Sequence, residues 1–297
     1  NYNVTVTITA QDKQTLTITG VEMDASSYTY GDTVGYNNSN LSVTGATTPD
    51  FDNTTLEYIY SGTPTDGTGF TTAPTKAGNY QLTVKVPDTN ADYMGQQVIN
   101  FTIAPKALHS SDLEQTAGAI TKTYDGNAAA PGITAGVKSD SLVESTDVVT
   151  ITGSAAYNGE NVGEATKIIF TPTGTGNVNY TLDASATLTI ESASITAKDV
   201  SITGATVNNK DYDGNADATV ASVTIPGVSG TLNRGTDFEV TSAVFSDANA
   251  STTNVDVTIN VALKGTAASN YHLTNGTDYL VSGAAKINQA TLSEGAD

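Results

Sequence analysis

The sequence predicts an all-β protein built as three tandem immunoglobulin-like β-sandwich modules arranged end to end. Three observations lead there. Apolar and polar residues alternate strictly along several segments, the mark of strands with one face buried. Only 14% of residues are charged, against about a quarter in an ordinary domain, and 51 threonines fill much of the difference. Thr suits a pleated strand that still meets water. Lastly, Tyr-Asp-Gly-Asn occurs at 124–127 and again at 212–215, 88 residues later, and a period of that size means one structural unit used repeatedly.

The clearest strand is Val255–Leu263, where Val255, Val257, Ile259, Val261 and Leu263 alternate with Asp256, Thr258, Asn260 and Ala262. Tyr80, Leu82, Val84 and Val86 form a second apolar face, and Leu56, Tyr58 and Tyr60 a third. Asp66-Gly67, Asn158-Gly159 and Asn275-Gly276 supply turns between such runs. One-sided alternation is the pattern of a two-sheet sandwich. Seven or so short strands per unit, without Cys or Trp, fit the immunoglobulin-like form. The one helical signal is the capping-box spacing of Ser111-Asp112-Leu113-Glu114, with room for a single turn before Gly118.

Other landmarks keep step with the motif. Each unit closes on an Asn- or Asp-Tyr pair, at Tyr93, Tyr180 and Tyr271, followed by a short strand ending in Phe101-Thr102-Ile103, Leu188-Thr189-Ile190 or Ala285-Lys286-Ile287. Three repeats follow, at 11–104, 105–191 and 192–288. Residues 1–10, with Val6-Thr7-Ile8, read as the closing strand of a preceding repeat. Residues 289–297, with Ala290-Thr291-Leu292, read as the start of a following repeat or a disordered tail. The first repeat is degenerate and carries Tyr30-Gly31-Asp32 at the motif position. Junctions are short, Ala104-Pro105-Lys106 and Glu191-Ser192-Ala193, and the proline limits bending at the first.

Composition bounds the function. A net charge of −19 argues against nucleic acid and against an anionic membrane surface as partner. No run of 18 apolar residues occurs, so no transmembrane helix is expected. With no cysteine, stability must come from the cores. The chain begins at Asn1, so any targeting or anchoring segment is expected outside this fragment.

The units resemble the YDG and MBG repeats of bacterial surface proteins. Lys122-Thr123-Tyr124-Asp125-Gly126-Asn127 and Lys210-Asp211-Tyr212-Asp213-Gly214-Asn215 carry the YDG resemblance for 105–191 and 192–288. Thr29-Tyr30-Gly31-Asp32 and the stretch Thr72–Tyr80 make 11–104 similar to the YGX type of MBG domain. The resemblance implies Ig-like modules in a long extracellular adhesin-type chain on a bacterial cell surface. It carries over no catalytic residue and no cofactor.

Three candidate sites need weighing. Tyr-Asp-Gly-Asn could contact a ligand. Its presence in each unit favours a structural role, with Gly126 and Gly214 at positive φ, Asp125 and Asp213 bonding the local backbone, and the tyrosine plugging the sandwich edge. Asp211, Asp213, Asn215 and Asp217 have the alternating oxygens that open a calcium loop. Ala216 and Ser222 stand where such a loop needs glycine and glutamate, which weakens that reading. The acidic stretch Asp50-Phe51-Asp52-Asn53 reads as a surface connection. His109 and His272, in different repeats, are the only histidines, and no G-x-S-x-G elbow occurs, so no enzyme is expected.

The expected function is that of a non-catalytic stalk or spacer, projecting a distal domain from the cell surface. The partners are neighbouring repeats of the same chain, and the fragment is expected to be a monomer. The alternative is an adhesive module that itself binds a host or environmental glycan or protein.

Overall fold

The computed structural model describes residues 12–48 and 50–291. The candidate closing strand at Val6-Thr7-Ile8 lies outside the described residues, as does Leu292; Ala290 and Thr291 carry no strand. The protein is mostly β-strand with almost no helix. The longest helical element is the single turn Ala267–Asn270. The turn expected after Ser111 is instead a 3-10 turn at Ser110–Asp112, closed by the Asp112 carboxylate accepting the His109 N–H at 2.7 Å. Leu113, fully buried, then opens the strand Leu113–Ala117 and ends any helical path.

The described residues form two compact units whose boundary runs through the middle repeat: 12–48, 50–114, 134–153 and 172–188 in the first, and 115–133, 154–171 and 189–291 in the second. In the first unit a four-stranded sheet has the order Tyr28–Thr29, Gln96–Ala104, Gly78–Lys85, Glu57–Pro64. The alternation seen in sequence places Tyr80, Leu82 and Val84 on its buried face. They pack with Leu16, Ile18, Val21 and Tyr93 and, toward the other end, with Tyr28, Val34 and Ile103. Ile18 comes from the hairpin-like pair Thr17–Thr19 and Ser42–Thr44.

In the second unit Phe238–Phe245, Val255–Leu263 and Tyr279–Ala285 form an antiparallel sheet. Val257 and Ile259 are wholly buried there with Phe238, Ile225 and Ile287. Gly204–Val207 pairs with Val220–Thr224 and adds Val223 to the same core.

Two parallel pairings recur through the chain and fix the motif loops. The opening strand of each repeat lies beside the residues after its closing tyrosine: Gln14 opposite Tyr93, Lys106 opposite Tyr180, Lys198 opposite Tyr271. The residues leading into each motif lie beside the chain at the repeat junction: Tyr28 opposite Ile103, Thr121 opposite Ser194, Lys210 opposite Ile287. The motif tyrosine ends each of the latter ladders in the same way. Its N–H donates to Ala104, Thr196 or Asn288 at 2.8, 2.8 and 2.9 Å from Tyr30, Tyr124 and Tyr212. Pro105 alone separates the strands on either side of the first junction, and Ser192-Ala193 those of the second.

Candidate functional site

Each Tyr-Asp-Gly-Asn loop closes around a lysine ammonium. Lys122, two residues before Tyr124, donates to Asp125 Oδ1 at 2.7 Å, to the Asn127 carbonyl at 2.7 Å and to the Ala129 carbonyl at 2.9 Å. Lys210 repeats the set on Asp213 Oδ1 at 2.7 Å, Asn215 Oδ1 at 2.8 Å and the Asp217 carbonyl at 3.1 Å. Gly126 and Gly214, with φ of 79° and 84°, turn the chain back through the left-handed region so that these oxygens converge. Asp125 and Asp213 also accept the N–H two residues on. Burial would raise the Asp125 carboxyl, but the Lys122 ammonium and the Asn127 N–H outweigh it and hold it below the usual range. The Lys210 ammonium does the same directly for Asp213.

This geometry gives the weak calcium candidate of Asp211, Asp213, Asn215 and Asp217 a cation of its own. Three of the four residues give oxygens to Lys210, so the cation of the loop is a side chain of the chain itself. The fourth, Asp211, accepts from Asn288 Nδ2 at 3.2 Å. No group of three or more His, Cys, Asp or Glu suited to a metal occurs among the described residues. Lys122→Met is expected to cost about 1 kcal/mol, the upper end for a half-exposed ion pair, because it strands the loop carbonyls. A urea melt of the variant checks this.

The first repeat shows why its motif differs. Tyr28 stands where the others have lysine, and its hydroxyl donates to the Gly35 carbonyl at 2.9 Å, seven residues on, as Lys122 does to Ala129 and Lys210 to Asp217. With no ammonium to neutralise, the carboxylate moves one place along. Asp32 accepts the Thr29 N–H at 2.8 Å, and Gly31 takes the positive φ of 108°.

Two of the motif tyrosines meet the closing tyrosine of the following repeat. Tyr30 meets Tyr180, the closing tyrosine of the following repeat, edge-on at 5.4 Å and 88°. Tyr124 meets Tyr271, again the closing tyrosine of the next repeat, at 5.3 Å and 83°. The recipient end is equally conserved in form between the two. The hydroxyl of Tyr180 accepts the Val143 N–H at 2.8 Å, and that of Tyr271 the Val228 N–H at 3.1 Å. The motif glycine lies over the same valine: a Cβ on Gly31 would sit 3.2 Å from a Val143 methyl, and one on Gly126 would sit 3.7 Å from Val228.

The residue before each closing tyrosine completes the contact. Asn179 and Asn270, at 3% and 2% exposure, are the two buried polar residues among the described residues. Each reaches into a loop of the repeat before. Asn179 accepts the Ala77 N–H at 3.0 Å and donates to Asp66 at 3.3 Å. Asn270 accepts the Val162 N–H at 2.9 Å and donates to Asn161 Oδ1 at 2.7 Å. A buried amide so placed is tolerated because both its donor and its acceptor are paired. The sequence marked these asparagines only as landmarks.

The two contacts differ in charge. Asp147 Oδ2 accepts both tyrosine hydroxyls of the first, Tyr180 at 2.7 Å and Tyr30 at 2.8 Å. Lys76 joins them, 3.0 Å from Tyr30 Oη and 3.0 Å from Glu144. The second contact uses amides in place of that ion cluster.

The remaining candidates are local. Phe51 of the acidic stretch packs edge-on against Tyr93 at 5.8 Å, and Asp52 caps the turn Asn53–Thr55 through the Thr54 N–H. His272 lies 2.8 Å from Asp199 and His109 3.7 Å from Asp183, all exposed but Asp183, which is partly buried.

Loops built around a lysine ammonium, and asparagine–tyrosine ends that seat the loop of the preceding repeat, define an all-β tandem-repeat protein. The family profile of the YDG domain matches residues 104–188 and 196–278, more than half of the chain, and the chain belongs to the YDG domain family. The first repeat lies outside both matched spans up to its last residue. No curated protein is matched by the chain.

Proposed function

We propose that the chain is a non-catalytic stalk or spacer segment of a bacterial cell-surface protein of adhesin type. In this reading three Ig-like β-sandwiches, the first of MBG type, stand end to end and project a distal domain. The observation that supports it most is the contact used twice, Tyr30 on Tyr180 and Tyr124 on Tyr271, each sealed by a buried asparagine. Packing of this kind restrains the swing of one repeat against the next. A spacer needs that restraint and a set of independent binding modules does not. A charge of −19 adds mutual repulsion along the chain. Small-angle scattering of the fragment is expected to give a maximum dimension of about 100 Å, from three modules with strands of roughly 30 Å each. Added calcium should leave it unchanged. A compact particle would sink the stalk reading.

The adhesive reading keeps one observation in its favour. An open groove of about 1390 Å³ runs over the first repeat, lined by Gln97, Asn79, Gln81, Ser61 and Val98 among others. Amides and hydroxyls beside an apolar patch suit a glycan better than a charged ligand. Chemical-shift changes confined to these residues on titration with a glycan set would favour this reading over a passive stalk.

A further inference from the structure

The third copy of the motif is fully formed and has nothing among the described residues seated on it. Lys210 fills its loop, and the Tyr212 N–H is held by Asn288, as in the other two. Yet the Tyr212 side chain is 45% exposed, where Tyr30 is 2% exposed. Gly214, the counterpart of Gly126, has no atom of the described residues beyond its chain neighbours within 4 Å of where its Cβ would lie.

The loop that receives the asparagine recurs as well. In the middle repeat, Asn161 and Val162 come four and five residues after Tyr157, the last residue of the strand Ile151–Tyr157. In the third repeat Asn249 and Ala250 stand at the same distance from Phe245, the last residue of Phe238–Phe245. Asn161 is held through Nδ2 by the Glu164 carboxylate, which leaves its Oδ1 to accept from Asn270. Asn249 is also held through Nδ2 by a carboxylate, here Asp247 two residues before it, at 2.8 Å, and both it and Ala250 are exposed.

We propose that Tyr212, Gly214, Asn249 and Ala250 form a docking face for the closing end of a further YDG-type repeat. The incoming asparagine would donate to Asn249 Oδ1 and accept the Ala250 N–H. The tyrosine after it would meet Tyr212 edge-on, and the valine of its loop would lie over Gly214. The recognised chemistry is an Asn-Tyr pair whose hydroxyl is already held by a loop N–H. The first repeat cannot supply it in this form. It carries Asp92 in place of asparagine, and the edge of Tyr93 is already met by Phe51.

The proposal deepens the stalk reading and can fail while that reading stands. The test lengthens the chain by a second copy of residues 192–288, carrying Tyr212→Phe so that its peptide differs from the original, placed after Asn288, and compares tyrosine nitration site by site by peptide mass spectrometry. Tyr212 is expected to react readily in the original chain and several-fold more slowly in the lengthened one. Tyr124, already docked, should be slow in both and reports that the fold is intact. Asn270→Ala made only in the appended copy should return Tyr212 to its original reactivity. Equal nitration of Tyr212 in the original and lengthened chains, with Tyr124 still protected, overturns the proposal even if scattering shows the fragment to be extended. Protection that persists in the Asn270→Ala version also overturns it, because the asparagine would then play no part.

Discussion

Tyr271→Ala is expected to destabilise the third repeat by about 3–5 kcal/mol, the range for deleting a large buried ring. Tyr271 is 9% exposed and packs in the core of the second unit, beside the parallel ladder to Lys198–Val200. Its loss also leaves the Val228 N–H without its acceptor. Water softens that last effect, because a cavity of about 240 Å³ borders Tyr124, Val228, Asn270 and Tyr271. Tyr271→Phe separates the effects: it keeps the ring and should cost about 1 kcal/mol for the hydroxyl alone. The contact with the preceding repeat is isolated by the cycle with Tyr124→Ala. An edge-on aromatic pair contributes about 0.5–1.5 kcal/mol beyond its buried area, and that is the coupling expected. Denaturant unfolding of the four chains measures it. A coupling near zero would mean that the two rings touch without holding the repeats together.

The all-β architecture was legible where strands are long. Val255–Leu263 alternates over nine residues, and of its apolar set Val257, Ile259 and Val261 are buried while Val255 and Leu263 at the ends are partly buried against the same core. The two- and three-residue strands were not legible, because a period of two cannot show itself in Lys210–Asp211 or Ile287–Asn288. Those short parallel pairs nevertheless carry the motif loops. The turn glycines could be read from residue type alone, since few other residues accept a φ near 80°.

Much of the site was hidden for a different reason. Tyr30 and Tyr180 are 150 residues apart, and nothing local says that a tyrosine in one repeat needs a tyrosine in the next. A signal existed in the asparagine before Tyr180 and again before Tyr271, which is an odd choice for a position that turns out to be buried. The lysine two residues before each Tyr-Asp-Gly was visible too. Its meaning as the cation of the loop was not, because alternating oxygens suit a metal and an ammonium equally well.

The ion cluster of the first contact makes that contact, and not the second, sensitive to acid. Asp147 has 7% of its side chain exposed and accepts two tyrosine hydroxyls and the Glu144 N–H on one oxygen. Burial would raise its carboxyl, but these hydrogen bonds and the nearby Lys76 ammonium outweigh it and hold it below the ordinary range. A carboxyl lowered in the folded state contributes fully above its unfolded pKa of about 4 and loses that contribution as pH falls through the folded value. At the other end, burial and the Asp147 carboxylate raise both Tyr30 and Tyr180. Burial alone would lower Lys76, but its bonds to Tyr30 and Glu144 raise it. Groups raised in the folded state contribute fully below their unfolded pKa, about 10 for each, and lose it as pH rises through the folded values. The first contact should therefore be strongest between about pH 4 and pH 10. Asp147→Ala is expected to cost about 2–4 kcal/mol at neutral pH, since it removes charged hydrogen bonds and leaves Glu144 as the one carboxylate of the cluster beside Lys76. Asp147→Asn keeps the shape, costs less, and should flatten the acid limb. Amide exchange against pH reads both contacts in one chain. Protection at Ala77, whose N–H is held by Asn179, should fall below about pH 4 in the native protein and not in Asp147→Asn. Protection at Val162, held by Asn270 through an amide contact, should show no such difference between the two proteins. Equal acid slopes at Ala77 in both would remove Asp147 as the source of the pH dependence.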